Sequence, residues 1–518
     1  MKQIKFLVIA FLGFITLLVA MLIWSAEARE FSASFFFIAL GALVLLPSAA
    51  AVLAGKIPWF SPHAFVVAAF GMMYVLAPAL VILDAPESEY YGRALAPSEM
   101  LKVVQVCTLG VFCYVLGYRI GPKNFRAPRR LEAYFSDTPA VDQIYVPGAF
   151  LIWGIGVGAW AYIYGVQGGI SAALSRMGER SMLLADAGGL VFHLAKFLYV
   201  GMLLLIARMG MNLVTIPMLG FSTLILLAFG SRSYIGLLVL GALIVWRFRY
   251  LQKVPLIVWA GGAVGGFFLM AFYVLLRATR GNLGEAAYYF QNSMERTSSW
   301  LTPIVAPFTF INEMGEVVNN VGGRIPYQYG ETFLTLLYFV PGWIWSGKYN
   351  LDSVNSAYMN ALYPGRIENV TITPSIMAEF FMNFGWFGIV FCPLLLGIGM
   401  KWFTNAMIGH PNRKYQCAWI VFAALASVNV MRVLKNGSTD AVWLLYFLVP
   451  LAALYLPNIG LFFSPPPRGT LVTDEDPYEA AAREAGEEWD ADEGYEEHEG
   501  DAYDWYTEPD GAVASSRG

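Results

Sequence analysis

Residues 374–399 read PSIMAEFFMNFGWFGIVFCPLLLGIG, a run of 26 residues with a single ionisable side chain, Glu379. An apolar α-helix needs about 20 residues to cross the ~30 Å hydrocarbon core of a bilayer, so this run is read as a membrane span. An acid inside a span is costly unless it is paired or solvated. Glu379 therefore stands out, either as the partner of an arginine or as a catalytic base. Comparable apolar runs recur at 4–25, 31–55, 61–83, 98–118, 142–165, 189–208, 211–230, 233–248, 254–276, 415–433 and 441–463. With 374–399 they predict an all-α, polytopic integral membrane protein of about 12 transmembrane helices. Apolar residues at 58% and charged ones at 14% exclude an ordinary soluble domain.

The basic loops set the expected orientation. Arg119, Lys123, Arg126, Arg129 and Arg130 follow the fourth span, Arg247, Arg249 and Lys253 the eighth, and Lys401, Arg413 and Lys414 the tenth. All three groups fall on one side if the spans alternate, which makes that side cytoplasmic, along with both termini. The formal net charge of −4 conceals an asymmetry, because the tail from Ser464 holds 17 of the 37 acids and 3 of the 33 bases. The body retains 30 bases against 20 acids and suits anionic lipids or an anionic substrate. The expected domains are a transmembrane unit, 1–463, and a disordered acidic cytoplasmic tail, 464–518. Asp474-Glu475-Asp476 and Asp490-Ala491-Asp492 imitate the DxD motif of nucleotide-sugar glycosyltransferases, but so acidic a segment produces such triplets by chance. The N-terminal run ends in Ser25-Ala26-Glu27-Ala28, which resembles a signal-peptidase site. Its length favours an uncleaved first helix.

Between the ninth and tenth spans lies 277–371, a large loop that this orientation makes extracytoplasmic. Trp300 to Phe310 and Phe333 to Ile344 are apolar but too short to span, and are expected to lie on the membrane surface or re-enter it. Arg277 and Arg280 open the loop, Arg176 and Arg180 follow the fifth span, and Arg232 sits between the seventh and eighth. Arginine suits pyrophosphate because its planar fork donates paired hydrogen bonds and remains charged where water is scarce. The alternative is that these arginines only snorkel to headgroups. The positive-inside bias makes five of them on three outer loops less expected on that account. Arg324, Tyr327, Trp343 and Lys348 extend the candidate pyrophosphate and sugar surface; Tyr and Trp stack on sugars, although at this depth a single aromatic is more commonly an interfacial anchor.

Glu379, Arg277 and Arg280 are the catalytic candidates. Glu313, Glu316 and Asp352 stand behind Glu379 as carboxylates able to accept a proton from a hydroxyl. His193, close to Lys196, reads as a hydrogen-bonded interior residue, and the other histidines fall at predicted cytoplasmic positions. Cys107, Cys113, Cys392 and Cys417 lie in apolar runs without CxxC spacing, as packing residues do. The outer segments hold no metal-ligand cluster, so metal-independent chemistry without a cofactor is expected.

The segment Pro341-Gly342-Trp343-Ile344-Trp345-Ser346-Gly347-Lys348, with Thr373-Pro374 through Glu379 and Asn383-Phe384-Gly385, resembles the Wzy-type O-antigen (oligosaccharide repeat unit) polymerases. The Gly168-Gly169 loop and the Gly230-Ser231-Arg232-Ser233 turn are similar to that family too. The resemblance implies a fold related to the GT-C-like membrane glycosyltransferases and a place in the bacterial inner membrane, with the active site facing the periplasm. It implies an inverting enzyme that moves a growing chain from its undecaprenyl-pyrophosphate carrier onto a new undecaprenyl-pyrophosphate-linked oligosaccharide. Expected partners are these lipid-linked oligosaccharides, membrane lipids and a polysaccharide chain-length regulator, and no nucleic acid. An O-antigen ligase uses the same donor, but that family relies on a histidine in its long outer loop, and 277–371 has none. A polysaccharide or lipid-linked oligosaccharide transporter needs polar residues along the bundle, and the spans carry few.

Overall fold

A computed structural model describes residues 32–84, 95–122, 129–170, 172, 188–229, 232–250, 279, 282, 284–285, 288, 310–340, 344–347, 351–364, 373–408 and 417–463. Among these the chain is helical, without strands, and has one isolated bridge between Val321 and Ile325. The helices are α1 (Ser32–Leu53), α2 (Pro62–Phe70), α3 (Ala77–Asp84), α4 (Pro97–Ile120), α5 (Arg129–Tyr134), α6 (Pro139–Val166), α7 (Gly189–Ala195) and α8 (Phe197–Met209). They continue as α9 (Thr215–Ala228), α10 (Arg232–Tyr250), α11 (Ile311–Asn320), α12 (Val354–Leu362), α13 (Ile376–Ile408), α14 (Cys417–Asn436), α15 (Val442–Leu454) and α16 (Ile459–Phe463). Contacts divide the chain into Met1–Phe462 and Phe463–Gly518, and the expected tail, 464–518, lies outside the described residues.

Helix starts follow local chemistry. Ser61 caps α2 by accepting the Ala64 N–H at 3.2 Å, with Pro62 at the first helical position. The Glu99 side chain reaches back to the Ala96 N–H at 3.0 Å at the start of α4.

Among the described residues, seven helices are long and apolar enough to cross a membrane, or eight if the bent pair Ser438–Leu454 and Leu456–Phe463 is one span. Twelve spans are therefore not reached among the described residues. The expected runs 4–25 and 254–276 lie outside them. The run 211–230 forms only the 14-residue α9, which at 1.5 Å per residue is about 21 Å long and too short to span alone. The run 441–463 is bent by 73°, and the run 233–248 forms α10, which carries Arg232, Arg247 and Arg249 and is not among the seven.

Two apolar cores share α14. One joins α6, α8, α10 and α15 to the Cys417 to Val428 part of α14. The other joins α1, α2, α4, α11, α12 and α13 to Val430 and Leu434. Glycines let backbones touch where lipid supplies no hydrophobic drive between helices. A Cβ on Gly117 of α4 would stand 2.1 Å from the Leu394 carbonyl oxygen of α13, and one on Gly156 of α6 would stand 2.1 Å from the Leu198 nitrogen of α8. The C-terminal end of α14 thus emerges where both cores meet.

The span that opens with Glu379 is broken. Gly385 adopts φ 59°, ψ −140° inside α13. The preceding loop fills the break: the N–H groups of Gln328 and Tyr329 donate to the carbonyls of Met382 and Asn383 at 3.1 and 3.2 Å. The Tyr327 ring lies where a Cβ on Gly385 would be 3.3 Å away. The 3-10 helix Glu331–Phe339 then packs on α13 through Phe333, whose ring is 6.1 Å from Phe380 and 6.2 Å from Phe384. Half of the expected surface or re-entrant segment at Phe333 to Ile344 is therefore this 3-10 helix. The other expected segment, Trp300 to Phe310, is described only at Phe310.

Candidate functional site

Three polar cells gather around the turn that joins α14 to α15. In the first, Glu379 is fully buried. Its Oε1 accepts the hydroxyls of Thr332 at 2.8 Å and Ser438 at 2.6 Å, and its Oε2 accepts the Ser438 N–H at 2.6 Å. One turn along α13, the Asn383 amide donates to Thr332 Oγ1 at 2.7 Å and to the Glu379 carbonyl at 2.8 Å, while its Oδ1 accepts the Gly330 N–H at 2.7 Å. Thr335 donates to the Thr332 carbonyl at 2.6 Å and meets the Thr439 hydroxyl at 3.0 Å. Three donors on one buried carboxylate form a satisfied network of the kind that fixes geometry. Among the described residues no arginine or lysine pairs with Glu379, and its carboxylate is occupied as an anchor.

The second cell lies across the same turn. Arg432 places its guanidinium 3.9 Å from the Trp443 ring centre and 4.9 Å from that of Tyr234, with Nη2 3.3 Å from Asp440. Asn436 donates to the same carboxylate at 2.5 Å, and Asn429 to the Asp440 carbonyl at 3.0 Å. Arg432 Nε and Nη1 are buried without a hydrogen-bond partner. Lys196, at the joint between α7 and α8, sits 4.0 Å from the Tyr446 ring centre, 4.3 Å from Trp443 and 4.8 Å from Phe192. Its Nζ is 3.1 Å from His193 Nδ1, and the His193 ring stacks on Tyr446 at 3.9 Å. Arg432 and Asp440 are the charged groups that act on Lys196.

Lys196 is 3% exposed and Arg432 8%. Both basic groups are thus held away from water, with Asp440 the one carboxylate beside them among the described residues. Aromatic faces contribute about 0.5–2 kcal/mol per cation. That does not neutralise a buried charge, which ordinarily needs a counter-ion. Among the described residues the cell offers two unused guanidinium donors beside the Lys196 amine and a single carboxylate, a donor-rich arrangement suited to an anion.

The third cell is built on α11. Glu316 accepts the hydroxyls of Tyr358 and Tyr363, the latter at 2.8 Å to each oxygen. Glu313, one turn earlier, keeps Oε2 buried without a partner. Burial pushes its carboxyl up from 4.5 to about 7; a hydrogen bond from its own backbone N–H opposes this, the Glu316 charge adds to it, and Lys435 opposes it. Lys435 belongs to the last turn of α14, with Nζ 5.1 Å from the Phe310 ring centre.

Of the residues singled out in the sequence, Glu379 lies in the first cell. Arg232 opens α10, two positions before the Tyr234 that stacks on Arg432; its side chain lies outside the described residues. Arg324 is exposed on the Val321–Ile325 turn, and Tyr327 covers the break at Gly385. Arg176, Arg180, Arg277, Arg280, Trp343 and Lys348 lie outside the described residues. Asp352 lies 3.4 Å from the Asn360 amide. Sequence reasoning passed over Arg432, Asp440 and Ser438 and named Lys196 only as the neighbour of His193. The available signal was the charge itself: Arg432 and Lys196 interrupt apolar runs, and an ionisable group there needs a reason.

The fold and these cells define a multi-pass membrane protein whose buried polar chemistry collects where α13, α14 and α15 meet. The family model described as O-antigen polysaccharide polymerase Wzy matches residues 3–455, and the chain belongs to that family. Its members are inner-membrane, glycosyltransferase-like polymerases that act on lipid-linked oligosaccharide repeat units. No curated protein and no solved structure matches the chain.

Proposed function

We propose that this protein polymerises undecaprenyl-pyrophosphate-linked oligosaccharide repeat units into a surface polysaccharide, by metal-independent, inverting glycosyl transfer at the extracytoplasmic face of the inner membrane, with both termini cytoplasmic. The observation that carries the reading is the buried cell of Arg432 and Lys196, in which Arg432 Nε and Nη1 are left without a hydrogen-bond partner. The basic groups Lys401, Arg413 and Lys414 at the junction of α13 and α14 are read as cytoplasmic, which assigns the far ends of those helices, with Glu379 and Arg432, to the outer side. A lipid-linked donor supplies the missing anion, because its pyrophosphate enters at the membrane boundary and gains charge as the glycosidic bond breaks. Fixed positive charge in a site closed to water is commonly the largest catalytic contribution to such a step.

In this reading Arg432 donates through Nε and Nη1 to phosphate oxygens and Lys196 adds a point charge. Glu379 and Asn383 fix the turn between α14 and α15, so that Asp440 keeps Arg432 stacked on Trp443. Arg277 and Arg280, with Arg176, Arg180 and Arg232, form an outer clamp on the pyrophosphates of the two substrates. Arg324, Tyr327, Trp343 and Lys348 of the 277–371 loop contact sugars. Holding two lipid-anchored substrates in one site supplies the proximity contribution. A GT-C-like ancestry, a chain-length regulator as partner and an acidic tail serving as cytoplasmic spacer belong to the same reading.

The test is deletion of the gene in its host, with complementation by the wild type and by Arg432→Ala or Lys196→Met, read as a surface-polysaccharide ladder. Collapse to a single repeat unit in the deletion and in both variants is expected, with the variants present in the membrane at wild-type amounts. Full-length polymer held on the carrier would instead identify a ligase, and unpolymerised units retained inside would identify a transporter.

A further inference from the structure

The polymerase reading leaves one step without a residue: the acceptor hydroxyl must lose a proton as it attacks. Glu379 has the wrong surroundings for that task. It is fully buried and its carboxylate already accepts from Ser438 twice and from Thr332 once. To serve a substrate hydroxyl it would have to abandon the turn it holds.

Glu313 has the opposite character. It lies on α11, outside the membrane-spanning helices, and is part-buried with Oε2 lacking any hydrogen-bond partner. A buried acceptor left unmade costs about 1–3 kcal/mol and calls for an explanation. Its location supplies one. Lys435 acts on Glu313 from the last turn of α14, and Arg432 occupies that same helix three residues earlier. Three residues correspond to about 4.5 Å along a helix axis, so the carboxylate and the cationic cell flank one turn of α14. Lys435 Nζ, 5.1 Å from the ring of Phe310 one turn before Glu313, brings the end of α14 beside the start of α11, so Glu313 and the cell of Arg432 border the same end of α14.

The surroundings also separate the roles of the two α11 acids. Glu316 is tied down by two tyrosine hydroxyls, while Glu313 takes a bond from its own backbone N–H and keeps Oε2 unused. Of the other titratable groups on the elements packed against α11, Cys107 of α4 meets α11 at Met314, its thiol 3.6 Å from the Met314 sulfur, and the charged ones are engaged elsewhere. Lys102 of α4 donates to the Val318 carbonyl at 2.7 Å, Glu99 caps α4, and Glu379 of α13 holds Ser438. This leaves Glu316 and Lys435 as the charges that tune Glu313, with opposite sign.

Resting on the polymerase reading, we infer that Glu313 is the catalytic base, accepting at Oε2 the proton of the acceptor-sugar hydroxyl. The hydroxyl oxygen bonds to the anomeric carbon of the donor chain. The bond from that carbon to the phosphate oxygen breaks, its electron pair leaves with the carrier pyrophosphate, and the proton rests on Glu313 until it passes to water. No oxidant, metal or nucleotide is consumed.

The experiment uses the full chain in proteoliposomes with the lipid-linked repeat unit that accumulates in the deletion strain, and measures initial rates of polymer formation from pH 5.5 to 8.5. The wild type should rise to a plateau through a midpoint near 7, the value to which burial carries Glu313. Glu313→Gln should lose about 100-fold or more in kcat, the scale of general-base catalysis, with KM little changed and the pH step gone. Glu313→Asp should retain part of the rate with a displaced midpoint. A Glu313→Gln variant that polymerises at half the wild-type rate or better, or keeps the same pH step, overturns the assignment while leaving the polymerase intact. Should Glu313→Gln not accumulate, an unmoved midpoint in Glu313→Asp overturns it equally. No polymer from the wild type removes the functional reading and this inference together.

Discussion

Ser438 grips Glu379 with two donors at once: its backbone N–H and its hydroxyl each lie 2.6 Å from the carboxylate, across 59 positions of chain. Two residues further on, Asp440 pairs with Arg432. A buried acid on α13 therefore fixes where the guanidinium on α14 sits, and the anchor cell and the cationic cell are mechanically one unit.

Removing the anchor should show how much depends on it. Glu379→Ala leaves the Ser438 N–H and two hydroxyls without an acceptor, at about 1–3 kcal/mol for each group that water cannot reach. The midpoint of thermal unfolding in detergent should drop, and polymer should be lost with it. Ser438→Ala removes one hydroxyl donor and keeps the N–H, so it should cost about 1 kcal/mol and preserve part of the ladder. Equal loss in both variants would show that the Ser438 hydroxyl alone carries the anchor and that the other two bonds to Glu379 add nothing.

Gly437 tests the same unit through the backbone. It holds φ +89°, and a Cβ there would stand 2.7 Å from Glu379 Oε2 and 2.7 Å from Val354 Cγ1. Gly437→Ala should lower the unfolding midpoint, both by strain at positive φ and by displacing the carboxylate. Gly399→Ala, in the same family of spans with nothing within 4 Å of its added Cβ, is the matched control and should leave the midpoint unchanged.

The membrane class was legible because apolar runs of span length have no other economical reading, and Glu379 was legible because an acid in such a run is costly. Its role was less so: whether an acid meets a cation, a hydroxyl or a substrate depends on which distant segments arrive beside it. Thr332 and Ser438 come from 47 and 59 positions away. Arg432 was hidden by its place one residue from the end of a predicted span, where an arginine usually snorkels to headgroups. Trp443 and Tyr234 enclose it instead, from helices α15 and α10. The span count was overdrawn at 211–230 because hydropathy reads the length of an apolar run, whereas α9 helps close the core and ends after 14 residues.

Glu313 gives a pH dependence that activity does not enter. Its carboxyl is raised to about 7 in the fold, against 4.5 ordinarily, so between those values the folded protein binds more protons than the unfolded chain. Its contribution to stability is complete below about 4.5 and declines as pH rises through about 7. The wild-type unfolding midpoint should fall across that window, and Glu313→Gln, which cannot ionise, should flatten the fall. Parallel curves for the two proteins would show that Glu313 does not titrate there.

The charge imbalance makes Lys196 and Asp440 move stability in opposite directions. Lys196→Met removes one of two cations, leaves Arg432 matched to Asp440 and fills the same aromatic box with an unbranched apolar chain. Replacing a buried charge by a packed apolar group is often neutral or stabilising by about 1–4 kcal/mol. The unfolding midpoint should hold or rise while polymerisation is lost. Asp440→Asn does the reverse by leaving Arg432 and Lys196 without a counter-charge, and breaking a buried pair on one side costs about 3–5 kcal/mol. Combining the substitutions should recover much of the stability lost with Asp440→Asn, because the double variant again buries fewer unmatched charges. Detergent melts of the four proteins form a double-mutant cycle whose coupling term reads the electrostatic conflict directly. A coupling near zero would mean that the two cations do not share one field, and the cationic cell would then lose its claim to a single bound anion.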